Sequence, residues 1–244
     1  MTYCAALFLR DGLVFLSDTR TNAGLDNISN FSKMHVIRAP GDRLMTLLTA
    51  GNLAISQSVM SLLQEGIDAG DGVDSLLTVP TMFRAAHLVG GAIRQVYETD
   101  GPALEAHKVR FDVSFMLGGQ IAGRLMRLFE IHAAGNFIEA TTDRPFLQIG
   151  EHKYGKPILD RVLTHDASLA DGVKLVLISM DSTLRSNLTV GMPIDRLVQR
   201  RDALEVTHRC RITEADDYFD TIRRQWSEAL RSAYQSLPNP EWLA

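Results

Sequence analysis

Thr2 is followed at once by the apolar run Tyr3-Cys4-Ala5-Ala6-Leu7-Phe8-Leu9. A start methionine before so small a side chain is commonly clipped, which leaves a threonine with a free α-amino group at the head of a buried strand. Such an amine has an unperturbed pKa of about 7.7–8.0, so near pH 7 an appreciable fraction is neutral and accepts a proton. A threonine hydroxyl beside its own neutral amine is a recognised activated nucleophile. Two further residues belong to the same neighbourhood. Asp18 ends the otherwise apolar stretch Val14-Phe15-Leu16-Ser17, and Lys33 opens the next run after Phe31-Ser32. A carboxylate in such a place is suited to hold a cation, and an ammonium beside a hydroxyl lowers its pKa and steadies the alkoxide. Taken singly, each residue has an ordinary explanation: a common gene start, a turn aspartate, a solvated lysine. Together at positions 2, 18 and 33 they describe a nucleophile and the ion pair that tunes it.

Hairpins must bring these residues together. Residues 3–9 and 13–17 are apolar runs around Asp11-Gly12, a favoured two-residue hairpin signal. That turn pairs Tyr3 with Arg20 and Thr2 with Thr21, leaving Asp18 one diagonal away, ~7–8 Å. Segments 33–39 and 43–50 form a second hairpin around Pro40-Gly41-Asp42. Helical periodicity then covers 52–67 and 81–98. Strands follow at 110–117, 124–132 and 136–149, punctuated by Gly118-Gly119 and Ala134-Gly135. Helices return at 153–164 and 168–186, the second with Asp166 as its expected N-cap. A strand at 193–200 leads to a last helix over 213–235, where Phe219, Ile222, Trp226, Leu230 and Tyr234 lie near one line. Strand runs alternating with helix pairs predict antiparallel sheets stacked face to face with helices outside, an α+β layered sandwich. No repeat or linker breaks the pattern, so one domain over 1–244 is expected.

Composition narrows the function classes. A net charge of −4 argues against a nucleic-acid binder, which carries a basic surplus. No apolar stretch is long enough to span a bilayer, and the first apolar run, which ends at Arg10-Asp11, lacks the basic region of a signal peptide. Two cysteines, Cys4 and Cys210, do not make a disulfide framework, which fits a reducing, cytoplasmic setting. The seven histidines show no zinc spacing, and there is neither a Gly-x-Ser-x-Gly elbow nor a phosphate loop. No cofactor, metal, nucleic-acid or membrane partner is expected.

Thr2, the Leu16-Ser17-Asp18-Thr19-Arg20 stretch and Lys33 together resemble the proteasome β-subunit and HslV superfamily. Within it, Ser17-Asp18-Thr19-Arg20-Thr21-Asn22-Ala23-Gly24 and Thr49-Ala50-Gly51-Asn52-Leu53-Ala54 are similar to the bacterial proteasome homologues of the Anbu family. The resemblance runs over nearly the whole chain. It implies the four-layer αββα sandwich of N-terminal-nucleophile hydrolases, with Thr2 as nucleophile, its α-amine as proton acceptor, and Asp18 and Lys33 as the tuning pair. It further implies that Asp181, in Met180-Asp181-Ser182, orients the amine.

The supporting positions depart from the family pattern. Where the family has a Gly-Ser-Gly turn, this chain reads Gly150-Glu151-His152. A second family serine falls near Leu184, with Ser182 and Ser186 as neighbours. The oxyanion-hole glycine falls near Leu48. The resemblance implies a threonine-type endopeptidase acting on peptide or protein in a homo-oligomeric ring or open spiral, with an ATP-dependent unfoldase a possible partner that the sequence does not require. The rival expectation is a catalytically silent or barely active scaffold subunit that keeps the fold for assembly.

Overall fold

The computed structural model describes residues 2–22, 28–70 and 72–243; Met1, and Ala23 and Gly24 of the family-like stretch, lie outside the described residues. The strands are β1 (Tyr3–Leu9), β2 (Gly12–Asp18), β3 (Arg20–Asn22), β4 (Ile28–Asn30), β5 (Met34–Ala39), β6 (Arg43–Gly51), β7 (Val113–Ile121), β8 (Arg127–Ile131), β9 (Phe137–Glu139), β10 (Phe146–Gly150), β11 (Ile194–Arg200) and β12 (His208–Ile212). The helices are α1 (Leu53–Asp68), α2 (Met82–Ala106), α3 (Lys156–Val162), α4 (Leu169–Ser186) and α5 (Asp217–Ser236). One antiparallel sheet has the order β10-β1-β2-β11-β12 and the other β5-β6-β7-β8-β9, while β3 and β4 pair separately.

Three apolar layers account for the order helix, sheet, sheet, helix. Tyr3, Ala5, Leu7 and Leu9 of β1 pack outward with Leu159, Val176, Met180 and Phe219 of α3, α4 and α5. Cys4 and Ala6 of the same strand turn inward and meet Leu48, Met116 and Leu128 of the second sheet. On the far side, Met45, Leu47, Phe115 and Leu117 pack on Ile55, Val59, Ala86 and Val89 of α1 and α2. Strands buried on both faces read as continuous apolar runs instead of alternating ones, which is how the first two appear in the sequence.

The first hairpin differs in register from the sequence expectation. Cys4 pairs with Ser17 and Leu9 with Gly12, so the two-residue turn is Arg10-Asp11, not Asp11-Gly12. Gly12 instead lies in β2 opposite Arg200, and a Cβ there would come 2.1 Å from the Gln199 carbonyl oxygen. Tyr3 consequently reaches Asp18, not Arg20, through its N–H. The slip is two residues, so every side chain keeps its face.

Other boundaries move for similar reasons. Gly118-Gly119 does not interrupt β7; the space of a Gly118 Cβ is taken by the Phe15 ring and Leu128. The expected strand at 136–149 is two short strands, β9 and β10, in different sheets. The cap of α4 is Ser168, whose Oγ accepts from the Asp171 N–H at 3.1 Å, and not Asp166. Among the described residues no helix is long and apolar enough to cross a membrane.

Candidate active site

Asp18 sits at the end of β2 with no exposed surface, and Lys33 just before β5 is 5% exposed. The Lys33 ammonium donates to Asp18 Oδ1 at 2.7 Å and to the Arg20 carbonyl at 2.7 Å. Asp18 also accepts from the Tyr3 N–H at 3.1 Å and from the Gly191 N–H at 3.4 Å. Burial pushes the Asp18 carboxyl above its ordinary range, and Lys33, then the two N–H groups, work against that rise. A buried carboxylate with several donors and a cation has its desolvation compensated. The Tyr3 bond also fixes where β1 begins, and so where Thr2 lies relative to the pair.

Thr2 shares a face of β1 with Cys4 and Ala6, so strand alternation turns its side chain between the two sheets. There a cleft of about 520 Å³ opens, lined by Thr2 and Lys33 together. The Thr2 backbone is held from β10. Its carbonyl accepts from the Glu151 N–H at 2.6 Å, and Gly150, at φ +82°, passes so close that a Cβ would lie 2.1 Å from that carbonyl oxygen. Behind Thr2, the Tyr3 hydroxyl hydrogen-bonds Ser179 Oγ at 2.5 Å and accepts from Gln148 Nε2 at 2.6 Å.

The structure therefore brings Thr2, Asp18 and Lys33 together. It places Asp181 elsewhere. That side chain is buried under α5, with Oδ2 accepting from Arg185 Nε at 2.9 Å and Oδ1 from Arg223 Nε at 2.7 Å, and it does not line the cleft. A helix turn separates it from the loop that does reach the site. In that loop Asn187 Nδ2 donates to Glu151 Oε2 at 3.0 Å, Leu188 holds Arg20 through its carbonyl, and Gly191 holds Asp18. Asn187 Oδ1 in turn accepts from the Thr189 N–H and hydroxyl, at 3.0 and 2.6 Å. The Asn-x-Thr sequence directly after a helix is an Asx-turn signal that marks this loop.

Glu151 is only 6% exposed, and its other oxygen accepts from the Lys153 N–H at 2.8 Å. It is fixed behind the Thr2 carbonyl and does not itself line the cleft. Ser182 lines a separate groove beside Trp226, and neither Leu184 nor Ser186 borders the cleft.

The backbone donor near Thr2 also differs from expectation. Leu48 is buried in the interlayer core, paired with Met34 and Met116. Thr49, Ala50 and Gly51 line the cleft. The Thr49 N–H donates to the Lys33 carbonyl at 3.0 Å, toward β5, while the Asn52 N–H donates to Asp112 on the other edge. Alternation along the strand turns the Gly51 N–H to the Thr49 side, beyond the point where β5 has begun. That N–H is aimed at the cleft, as an oxyanion donor would be. Among the described residues no group of three or more His, Cys, Asp or Glu is gathered as a metal site.

No protein-family model and no curated protein matches the chain. Solved structures do. The helical assembly of the Anbu complex from Pseudomonas aeruginosa is 52% identical, with a TM-score of 0.92 over 98% of each chain. The Anbu Gly-1 mutant from Hyphomicrobium sp. strain MC1 is 50% identical, with a TM-score of 0.92 over 99% of this chain and 100% of that one. Anbu, described as an ancestral β-subunit, from Yersinia bercovieri is 46% identical at a TM-score of 0.92, covering 98% of both. Half of all residues shared from end to end goes beyond a common sandwich, and the chain belongs to the Anbu family.

Proposed function

We propose that the protein is a threonine-type amidohydrolase, a proteasome-like peptidase subunit whose nucleophile is Thr2 once Met1 has been removed. The observation that carries this reading is the shared cleft: the Thr2 side chain and the Lys33 ammonium border one opening, and Lys33 is held there by buried Asp18. Thr2 Oγ attacks a peptide carbonyl while its proton passes to the neutral α-amine. The oxyanion develops toward the Gly51 N–H. The amine then gives the proton to the departing nitrogen as the C–N bond breaks, leaving an ester on Oγ. Water, deprotonated by the same amine, hydrolyses that ester and returns the free threonine. Lys33 favours the alkoxide by charge. The Glu151 N–H holds the Thr2 carbonyl, and Asn187 fixes the Glu151 side chain.

The Pseudomonas aeruginosa relative forms a helical assembly, and this chain is proposed to work as a homo-oligomer in the cytoplasm on peptide or unfolded protein. An ATP-dependent unfoldase is not required by the chemistry. The test is a peptide-substrate screen of the wild-type protein beside Thr2→Ala. Hydrolysis lost in the variant supports the reading; equal hydrolysis by both assigns the activity elsewhere.

A further inference from the structure

One wall of the Thr2 cleft has no part in the chemistry just described. Glu130 lies on β8 opposite Met116 of β7. Alternation gives it the face of Leu128, which packs with Met116 and Leu48 between the sheets. Thr2 reaches the same interlayer space from β1. The two residues thus border the cleft from opposite sheets.

Glu130 is well placed to act on a ligand. Its side chain is only 19% exposed, and the His132 Nδ1, 3.6 Å away, is a cation only when protonated. Burial pushes its carboxyl up, and the charges of His132, Arg144 and His152 offset part of that rise. Asp112 adds a second, exposed carboxylate at the rim. The Lys33 ammonium does not neutralise them, because Asp18 and the Arg20 carbonyl already engage it. The apolar lining among the described residues is Ala50, Leu53 and Ile149, set among serines, threonines, glycines, Gln148 and His152. A large apolar side chain entering here would desolvate Glu130 with nothing in return, and an anionic one would be repelled. A guanidinium or ammonium would gain a charge-assisted hydrogen bond in a partly desolvated place.

We propose that this cleft selects substrates with a lysine or arginine side chain beside the bond that Thr2 attacks, and that Glu130 is the carboxylate that meets it. The inference rests on Thr2 being the nucleophile. Its test uses three peptide epoxyketones that differ only in the side chain next to the warhead: arginine, norleucine or glutamate. Labelling of Thr2 is followed by intact mass on the assembled protein. Arginine should label faster than norleucine by about tenfold, glutamate slowest, and the advantage should shrink as salt rises.

In Glu130→Gln the advantage of arginine over norleucine should collapse, and Glu130→Lys should favour glutamate. The salt series on the wild type stands even if a variant fails to fold. Norleucine labelling as fast as arginine in the wild type overturns the selectivity and leaves the nucleophile intact. Labelling by none of the three overturns the nucleophile, and the selectivity with it.

Discussion

Lys33 is the residue on which the proposed reactivity turns, because its Nζ, held by buried Asp18, borders the Thr2 cleft. Lys33→Ala should abolish electrophile labelling of Thr2 and leave assembly in place. It also strands Asp18 without its cation, so a loss of about 3–5 kcal/mol in stability is expected from denaturant unfolding. Labelling at the wild-type rate in the folded variant would refute the role. Glu151 bears on pH. A carboxylate near an amine favours the ammonium, so the wild-type labelling rate should rise at higher pH than that of Glu151→Ser. Coincident profiles would mean that Glu151 acts only as the tie between Asn187 and the Lys153 backbone.

Thr2, Asp18 and Lys33 were legible in the sequence because each borders an apolar run, and two hairpins bring such borders together whatever the detailed register. Asn187, Gly51 and Glu130 were not. They come from distant segments: Gly51 and Glu130 meet Thr2 across the stacked sheets, and Asn187 reaches Glu151 from the loop after α4, which no local spacing encodes. Asp181 was misplaced for a related reason: the helix through residue 186 is read correctly, but position in a family-like motif does not say that packing under α5 turns this carboxylate toward two arginines.

At the scale of elements, the long apolar segments were readable, and the failures are physical ones. β12 carries His208-Arg209-Cys210-Arg211 on a sheet edge, and its side chains are half-buried or exposed before Ile212, so it offers no apolar run. α2 continues through Pro102 to Ala106, beyond the Gly-Pro pair that marks a stop in sequence. β10 was hidden inside an overlong strand, yet it is the element that holds Thr2. Its last residue, Gly150, has a backbone conformation that side chains rarely adopt and no room for a Cβ against the Thr2 carbonyl. Gly150→Ala should therefore displace Thr2 and cut its labelling strongly, whereas Gly41→Ala, at a turn with open space around it, should leave labelling unchanged. Equal labelling in the two variants would contradict the positioning ascribed to β10.

At the scale of the molecule, membership of the Anbu family fixes the sandwich, and the surface bears on assembly. Leu230, Tyr234, Leu237, Trp242 and Leu243 are all exposed along the end of α5 and the tail after it, with Trp242 at 82%. Apolar groups gathered in this way mark contact surfaces more often than free ones. Light scattering at micromolar concentration should give a mass many times 27.0 kDa, and a value near that figure would contradict the oligomer. The most direct test of the central claim treats that assembled, natively expressed protein with a peptide epoxyketone, which closes a ring on a threonine Oγ and its own free amine. Cys4 next door does not compete, since it is fully buried in the interlayer core and burial pushes its thiol up. Mass spectrometry should find Met1 absent and the adduct on Thr2, lost in Thr2→Ala. Met1 retained throughout, or a free Thr2 that stays unmodified in the folded assembly, would contradict the account.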